Sequence, residues 1–570
     1  MSGAWRRVWV DHPRATGTAL VMLAALVASL TSLTNGFALD DALVIETRAR
    51  LHTLSEPLGL LTTAYWQLPP EDTLWRPLGL LSFAIQWVVG GGAPLAFHAT
   101  SIALYVACAL AVLALARALL PPIGALAAGL VFAVHPVHVE SVGNIVGQLE
   151  LWVALAIVLA SLLYLRGRRA GTLTAGTMAA IVACYALGLG MKEHAVLLPA
   201  FLLALEVTVL RHAPMLSGNA RARRRALFGM LVTLAILWLA LRSDIVGGLA
   251  GDRPHVALKG LDATARAWVM LGLLPEIARL MVWPARLYAD YSPQFAAIHS
   301  TPSAAHVLGL VLLATYAVAL GWIWRRDRTM ALGLLWVPLA MALVANLVVP
   351  TGILLAERTL FLATVGVALA AGGLVSHGQV FLASKTPIMR TLALAAGLSL
   401  IALGAAHSAE RQHVWKDNTS LMTSLVVDAP LNFRGHYWLG DDLLRQGRLV
   451  EGEQMMRRAM LLWPEHDGPP LGLALRYQER GMCVPALPLY ETVLRLEPRK
   501  PTPHFGYAGC LLTLGRLREA RNAAFAGLET GRSATAFRYL ILQADSALAA
   551  TDSVMSNNWW VRRRGRPAAP

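Results

Sequence analysis

Apolar runs long enough to cross a bilayer recur along the first 410 residues, separated by short polar or basic connectors. The first covers about 17–33 and carries no charge. Ten more follow at about 97–118, 123–137, 143–165, 172–190, 194–210, 226–242, 304–324, 330–349, 353–374 and 391–408. Two polar stretches interrupt the series, at about 37–96 and 243–303. Within them, 78–89 is too short to cross, and 263–284 is broken by Pro275, Glu276 and Arg279. Both are expected to lie along or dip into the membrane surface. The pattern predicts an all-α, polytopic membrane helical bundle of about eleven spans.

Charge orients it. Arg6, Arg7 and Arg14 precede the first run, so the positive-inside rule holds the N-terminus in the cytoplasm. The arginine blocks at 166–169, 221–225 and 325–328 then fall on that same side. An odd number of crossings leaves the C-terminal part of the chain on the opposite face. The net charge of +15, 56% hydrophobic content and mean hydropathy of +0.54 exclude a soluble globular chain. No basic patch interleaved with aromatics appears, so nucleic acid is not an expected partner.

From about 410 the composition turns soluble and a period emerges. Gly447, Gly481 and Gly515 are spaced by 34 residues, as are Pro464 and Pro498. Small residues recur at Gly440, Gly452, Ala459, Ala474, Ala486, Ala508 and Ala520, where paired helices would approach closely. The period predicts a C-terminal α-solenoid over 410–550, with about three tetratricopeptide (TPR) repeats at 433–534. Such stacks commonly grip a peptide or a partner on their concave face. Residues 551–570 form a basic segment, with Trp559-Trp560 and Arg562 to Arg566, expected as a disordered tail. Of the four cysteines, Cys108 and Cys184 sit in apolar runs, while Cys483 and Cys510 could pair if the repeats lie outside the cytoplasm.

Ionisable residues gather at the external ends of the runs, where they read as functional. Asp40-Asp41 follows the first run. Arg76 lies in the first polar stretch, and His135, His138 and Glu140 end the third run. Glu150 opens the fourth, and Lys192-Glu193-His194 separates the fifth from the sixth. Asp290-Tyr291 lies in the second polar stretch, and Glu357-Arg358 enters the tenth run. Bland readings stand beside these: a solvated acidic pair, an ion pair at a turn, a histidine closing a helix. His135, His138 and Glu140 could hold a divalent metal, but Pro136 breaks the helical register and the spacing matches no zinc signature. No metal is assigned.

Taken in order, Asp40-Asp41, Trp75-Arg76-Pro77-Leu78, His135-Pro136-Val137-His138-Val139-Glu140-Ser141, Gly147-Gln148-Leu149-Glu150, Lys192-Glu193, Asp290-Tyr291-Ser292 and Ala356-Glu357-Arg358 form a set. With the repeats behind it, this set resembles the transmembrane-and-TPR (TMTC-type) O-mannosyltransferases and their bacterial relatives, in the GT-C class of glycosyltransferases. The resemblance covers nearly the whole chain. It implies a GT-C-like domain at 1–409 that moves a sugar, mannose in the family, from a polyprenyl-phosphate carrier. The acceptor would be a hydroxyl of a protein or glycan on the external face, with inversion.

An aspartate of the pair, Asp41 ahead of Asp40, would be the general base. Arg358 would hold the carrier phosphate. Arg76, His135, His138, Glu140, Glu150, Lys192, Glu193, Asp290, Tyr291 and Glu357 would line the pocket. Gln148 departs from the arginine expected before the acidic residue of its motif, which puts one phosphate contact in question. The arginine-rich composition suggests a bacterial inner membrane with periplasmic repeats. Two other readings remain: a non-catalytic membrane scaffold recruiting a partner through its repeats, and a transporter. The charges sit at one face rather than near the midplane, which disfavours the transporter.

Overall fold

The computed structural model describes residues 12–66, 74–213, 218–248, 255, 258–291, 302–531 and 533–564. Ser292, Arg6 and Arg7 lie outside them, as do the tail's side chains. The chain divides into two compact units, Met1–Ser424 and Leu425–Pro570.

The first unit is helical throughout its regular structure, as expected of a chain whose backbone must satisfy its own hydrogen bonds in lipid. Its helices are α1 (Pro13–Ser29), α2 (Pro77–Gly90), α3 (Pro94–Leu119), α4 (Pro122–Ala133), α5 (Val139–Gly143), α6 (Gln148–Arg169) and α7 (Ala175–Met191). They continue with α8 (Leu198–Val207), α9 (Gly218–Val246), α10 (Ala263–Val282), α11 (Ala304–Arg326), α12 (Arg328–Met341), α13 (Phe361–Ala383) and α14 (Pro387–Gln412). Among the described residues seven helical stretches are long and apolar enough to cross a bilayer, eight if α4 and α5, bent by 45°, form one broken span. α2, α7 and α12 are apolar but shorter. Each of the eleven runs carries a helix, and the unit is a multi-pass membrane fold.

Proline begins several helices at the first turn, where its missing N–H costs nothing: Pro13, Pro77, Pro94, Pro122 and Pro387. Pro136 opens the 3-10 turn, Pro136–His138, between α4 and α5 and keeps the third run from continuing as one straight helix. α6 is the bundle's centre, with 83% of its apolar window buried, against 6% for α11. Lipid supplies no hydrophobic drive between helices, so close contact depends on small residues. A Cβ on Gly333 of α12 would stand 2.7 Å from the carbonyl of Gly366 on α13, so only glycine permits that crossing.

The composition change near 410 falls inside the first unit, whose fold continues to Ser424. Trp415 packs with Ala38, Val139 and Leu421, and Gly36 N–H donates to the Lys416 carbonyl at 2.8 Å. An apolar-to-polar shift marks where a chain leaves lipid, not where it stops packing.

The second unit contains three helix pairs: α15 (Phe433–Arg445) with α16 (Leu449–Leu462), α17 (Gly468–Glu479) with α18 (Cys483–Leu496), and α19 (Pro501–Thr513) with α20 (Leu517–Leu528). The periodic glycines occupy the same place in each turn, at φ of 84°, 72° and 73° for Gly447, Gly481 and Gly515. Leu473, Ala474, Tyr477, Ala486 and Tyr490 form its core. Cys483 and Cys510 are joined as a disulfide, with Cα atoms 5.0 Å apart. Helix α21 (Ala534–Arg564) runs into the segment expected as a disordered tail.

Candidate functional site

The site is built where ends of α2, α5, α6, α7 and α13 converge on the segment after α1. That segment is held by the chain near 412–418. Asn35 Nδ2 donates to the Gln412 carbonyl at 2.8 Å, and Leu39 N–H to Asn418 Oδ1 at 2.7 Å. Leu39 adopts φ 54°, a left-handed conformation costly for a leucine. Past this turn the two aspartates have different environments.

Asp41 is fully buried. Its Oδ1 accepts the Val146 N–H at 2.8 Å, and its Oδ2 those of Ile145 at 3.1 Å and Ala38 at 3.4 Å. Burial pushes its carboxyl up to about 7, against the three N–H donors, and the neighbouring Asp40 adds to the rise. Asp40 keeps 28% of its side chain exposed, and its Oδ2 stands 3.9 Å from Arg358 Nη2, an ion pair too long for a hydrogen bond.

Arg358 is fixed by Glu140, which is 1% exposed. Its backbone N–H donates to Glu140 Oε2 at 2.8 Å and its Nη1 to Oε1. Glu150, opening α6, binds Lys192 Nζ through one oxygen and lies 3.1 Å from His194 Nε2 through the other. Arg76 grips Glu193 with both arms, Nε to Oε1 at 3.1 Å and Nη2 to Oε2 at 3.0 Å. Burial works to raise Glu193, but Arg76 prevails and holds it down at about 2. Burial likewise lowers Lys192, with Glu150 working against the shift. Three cations, Arg76, Lys192 and Arg358, are thus held at one end of the bundle, each by a carboxylate already in place.

Other predicted pocket residues are spent on the scaffold. His138 lies between the Tyr105 hydroxyl at 3.1 Å and the Thr364 hydroxyl at 2.7 Å, inside the core. His135 pairs with the Met281 carbonyl at 3.1 Å and caps the following turn. Their ring nitrogens are taken up by these hydrogen bonds within the core. Glu357 accepts the Tyr288 N–H and the Tyr291 hydroxyl, both at 2.7 Å, and ties the second polar stretch to the start of α13. Asp290 beside them is partly buried. Gln148 is fully buried and exchanges reciprocal 3.1 Å bonds with Gln86, adding the Phe97 carbonyl and the Ser101 hydroxyl. These bonds hold it against α2 and α3.

Two participants carried no sequence signal of their own. His194 was a neighbour of Lys192-Glu193. Tyr65 was one aromatic residue in a polar stretch. The ring of Tyr65 lies under the Arg76 guanidinium, 4.7 Å from its centroid.

No family model matches the chain. Among curated proteins it is 36% identical to the Drosophila melanogaster protein O-mannosyl-transferase Tmtc1 over 183 residues, 30% of this chain and 21% of that protein. It is 24% identical to mouse protein O-mannosyl-transferase TMTC3 over 516 residues, 84% of this chain and 55% of that protein. Mouse TMTC4, also named a protein O-mannosyl-transferase, is 24% identical over 490 residues, 75% of this chain and 64% of that protein. The chain therefore spans about half the length of the longer-matching relatives and less of the first. It is TMTC-like over most of its own length.

Proposed function

We propose that this TMTC-like membrane chain is a glycosyltransferase that moves a sugar, mannose by the relatives' names, from a polyprenyl-phosphate carrier to a hydroxyl acceptor. The observation that carries this reading is the Asp40–Arg358 pair: a partly exposed carboxylate 3.9 Å from a guanidinium whose other arm is fixed by Glu140. Inverting transfer needs these two groups. A base takes the acceptor's proton as its oxygen forms a bond to C1. A cation meets the charge that grows on the phosphate as the C1–O bond breaks. Asp40 fits the base better than Asp41, whose oxygens are both taken by backbone amides. Lys192 and Arg76 add positive potential beside Arg358 for a phosphodiester that arrives from the lipid.

The carboxylates would lie on the external face of a bacterial inner membrane, where the positive-inside rule places the end of the first span. The Cys483–Cys510 disulfide supports an oxidising location for the helix pairs, which would receive the acceptor or a partner. The test is transfer of radiolabelled mannose from polyprenyl-phosphate-mannose by purified chain. Asp40→Asn should abolish transfer while the protein stays folded. Full transfer by that variant would refute the assignment.

A further inference from the structure

Tyr65 presents an unusual combination. Its hydroxyl is buried, with the residue 1% exposed; Arg76 is a donor toward its oxygen, and no acceptor stands against its own proton among the described residues. Its backbone is fully engaged: the Tyr65 N–H donates to the Leu74 carbonyl at 2.7 Å, and its carbonyl accepts Arg48 Nη1 at 2.7 Å. The ring is held edge-on to Trp66 and face-on to Arg76. The side chain therefore cannot easily turn to find a partner elsewhere.

The neighbours of the hydroxyl explain why its proton stays unpaired. Arg76 lies over its ring, and a guanidinium only donates. The Arg76 that covers its ring is the one gripped by Glu193, next in the chain to Lys192, which places the phenol beside the charged cluster. Burial pushes the phenol above its ordinary range, so it remains a neutral O–H donor at any physiological pH. A buried donor without an acceptor is costly, and such groups in native proteins call for an explanation.

We infer that Tyr65 is a ligand-binding residue whose hydroxyl donates a hydrogen bond to a phosphate oxygen of the lipid carrier, on the face of Arg76. Phosphate is the chemistry this position recognises best. The acceptor must be an oxygen, it must arrive with the ligand, and Arg76 favours one that is negative. This deepens the proposed function and rests on it. The hydrogen bond moves no electron pair between molecules and leaves the chemical step to other groups. Tyr65 thus governs carrier affinity, and the sequence set on which the resemblance stood does not contain it.

The experiment uses the full chain in detergent and a polyprenyl monophosphate without sugar as probe. Tyr65→Phe keeps the ring beneath Arg76 and removes only the hydroxyl. Its melting temperature without ligand should equal or exceed that of the wild type, because a buried unpaired donor is gone. Its affinity for the probe should fall by about ten- to a hundredfold, the worth of a hydrogen bond to a charged group. In the transfer assay KM for the carrier should rise with kcat little changed. Equal affinity in wild type and Tyr65→Phe, with Arg358→Ala losing the probe, would overturn the role of Tyr65 alone. A loss confined to the mannose-loaded carrier would overturn the phosphate assignment. If wild-type chain fails to bind the probe, the carrier reading falls and this inference with it.

Discussion

The Asp41 carboxylate accepts the backbone N–H of Val146 at 2.8 Å across 105 residues of chain. This bond, with that from Ile145, pins the segment after α1 to the entry of α6, the helix that brings Glu150 to the cluster. Asp40, one residue earlier, is left turned toward Arg358. Adjacent identical residues thus have different surroundings, one beside a guanidinium and one closed in by backbone amides.

The two aspartates should therefore fail differently. Asp40→Asn should lower transfer by roughly a hundredfold or more, the usual worth of a general base, with an unchanged melting temperature. Asp41→Asn gives up one of the two oxygens that accept amides and should cost about 1–3 kcal/mol of stability. Thermal unfolding in detergent, run beside the mannose-transfer assay, separates them.

Asp41 also gives stability a pH dependence. Its carboxyl rises from 3.8 to about 7 in the folded protein, so the fold favours the protonated form. That contribution is complete below about pH 4 and is lost as pH rises toward 7, levelling off above. It amounts to at most about 4 kcal/mol. The wild-type melting temperature should carry a falling component between about pH 4 and pH 7 that Asp41→Asn lacks. Parallel profiles for the two proteins would contradict this.

Arg358 and Glu140 form a buried pair, and removing one partner strands the other. Arg358→Ala should abolish transfer and destabilise the first unit by about 3–5 kcal/mol, because Glu140 remains charged at 1% exposure. Combining it with Glu140→Gln should restore most of the stability and none of the transfer. Arg358→Lys should also perform poorly, since an ammonium cannot serve Glu140 and the space beside Asp40 with a planar fork. Melting temperature and transfer rate, measured on all three, form the check.

The Cys483–Cys510 disulfide closes a loop with a sequence separation of 27. Its loss through Cys483→Ser with Cys510→Ser should destabilise the second unit by about 3 kcal/mol. In cells, thiol labelling of wild-type chain should find these cysteines blocked until reductant is added. Free thiols in freshly isolated membranes would argue that the helix pairs face the cytoplasm.

Much of the fold was legible because it rests on local properties. Apolar length marked the eleven runs that carry helices in the first unit, since burial in lipid depends on composition and not on partners. The 34-residue spacing of Gly447, Gly481 and Gly515 marked the helix pairs, because each turn needs a residue that tolerates positive φ. The cluster's membership was legible in part: Arg76, Glu140, Glu150, Lys192, Glu193 and Arg358 all meet as ion pairs.

What each residue does there was decided by tertiary structure. His135, His138 and Glu357 have the same chemistry as the cluster's members, yet helix packing points them at Met281, Thr364 and Tyr291. Tyr65 enters the site because Arg76 covers its ring, which no spacing in the chain announces. The division between Asp40 and Asp41 depends on amide donors more than 100 residues away. A sequence records which groups are available to bond and where the chain must be helical. Only the folded chain fixes which donors reach which acceptors, because those distances are set by the crossing of helices remote from one another in sequence.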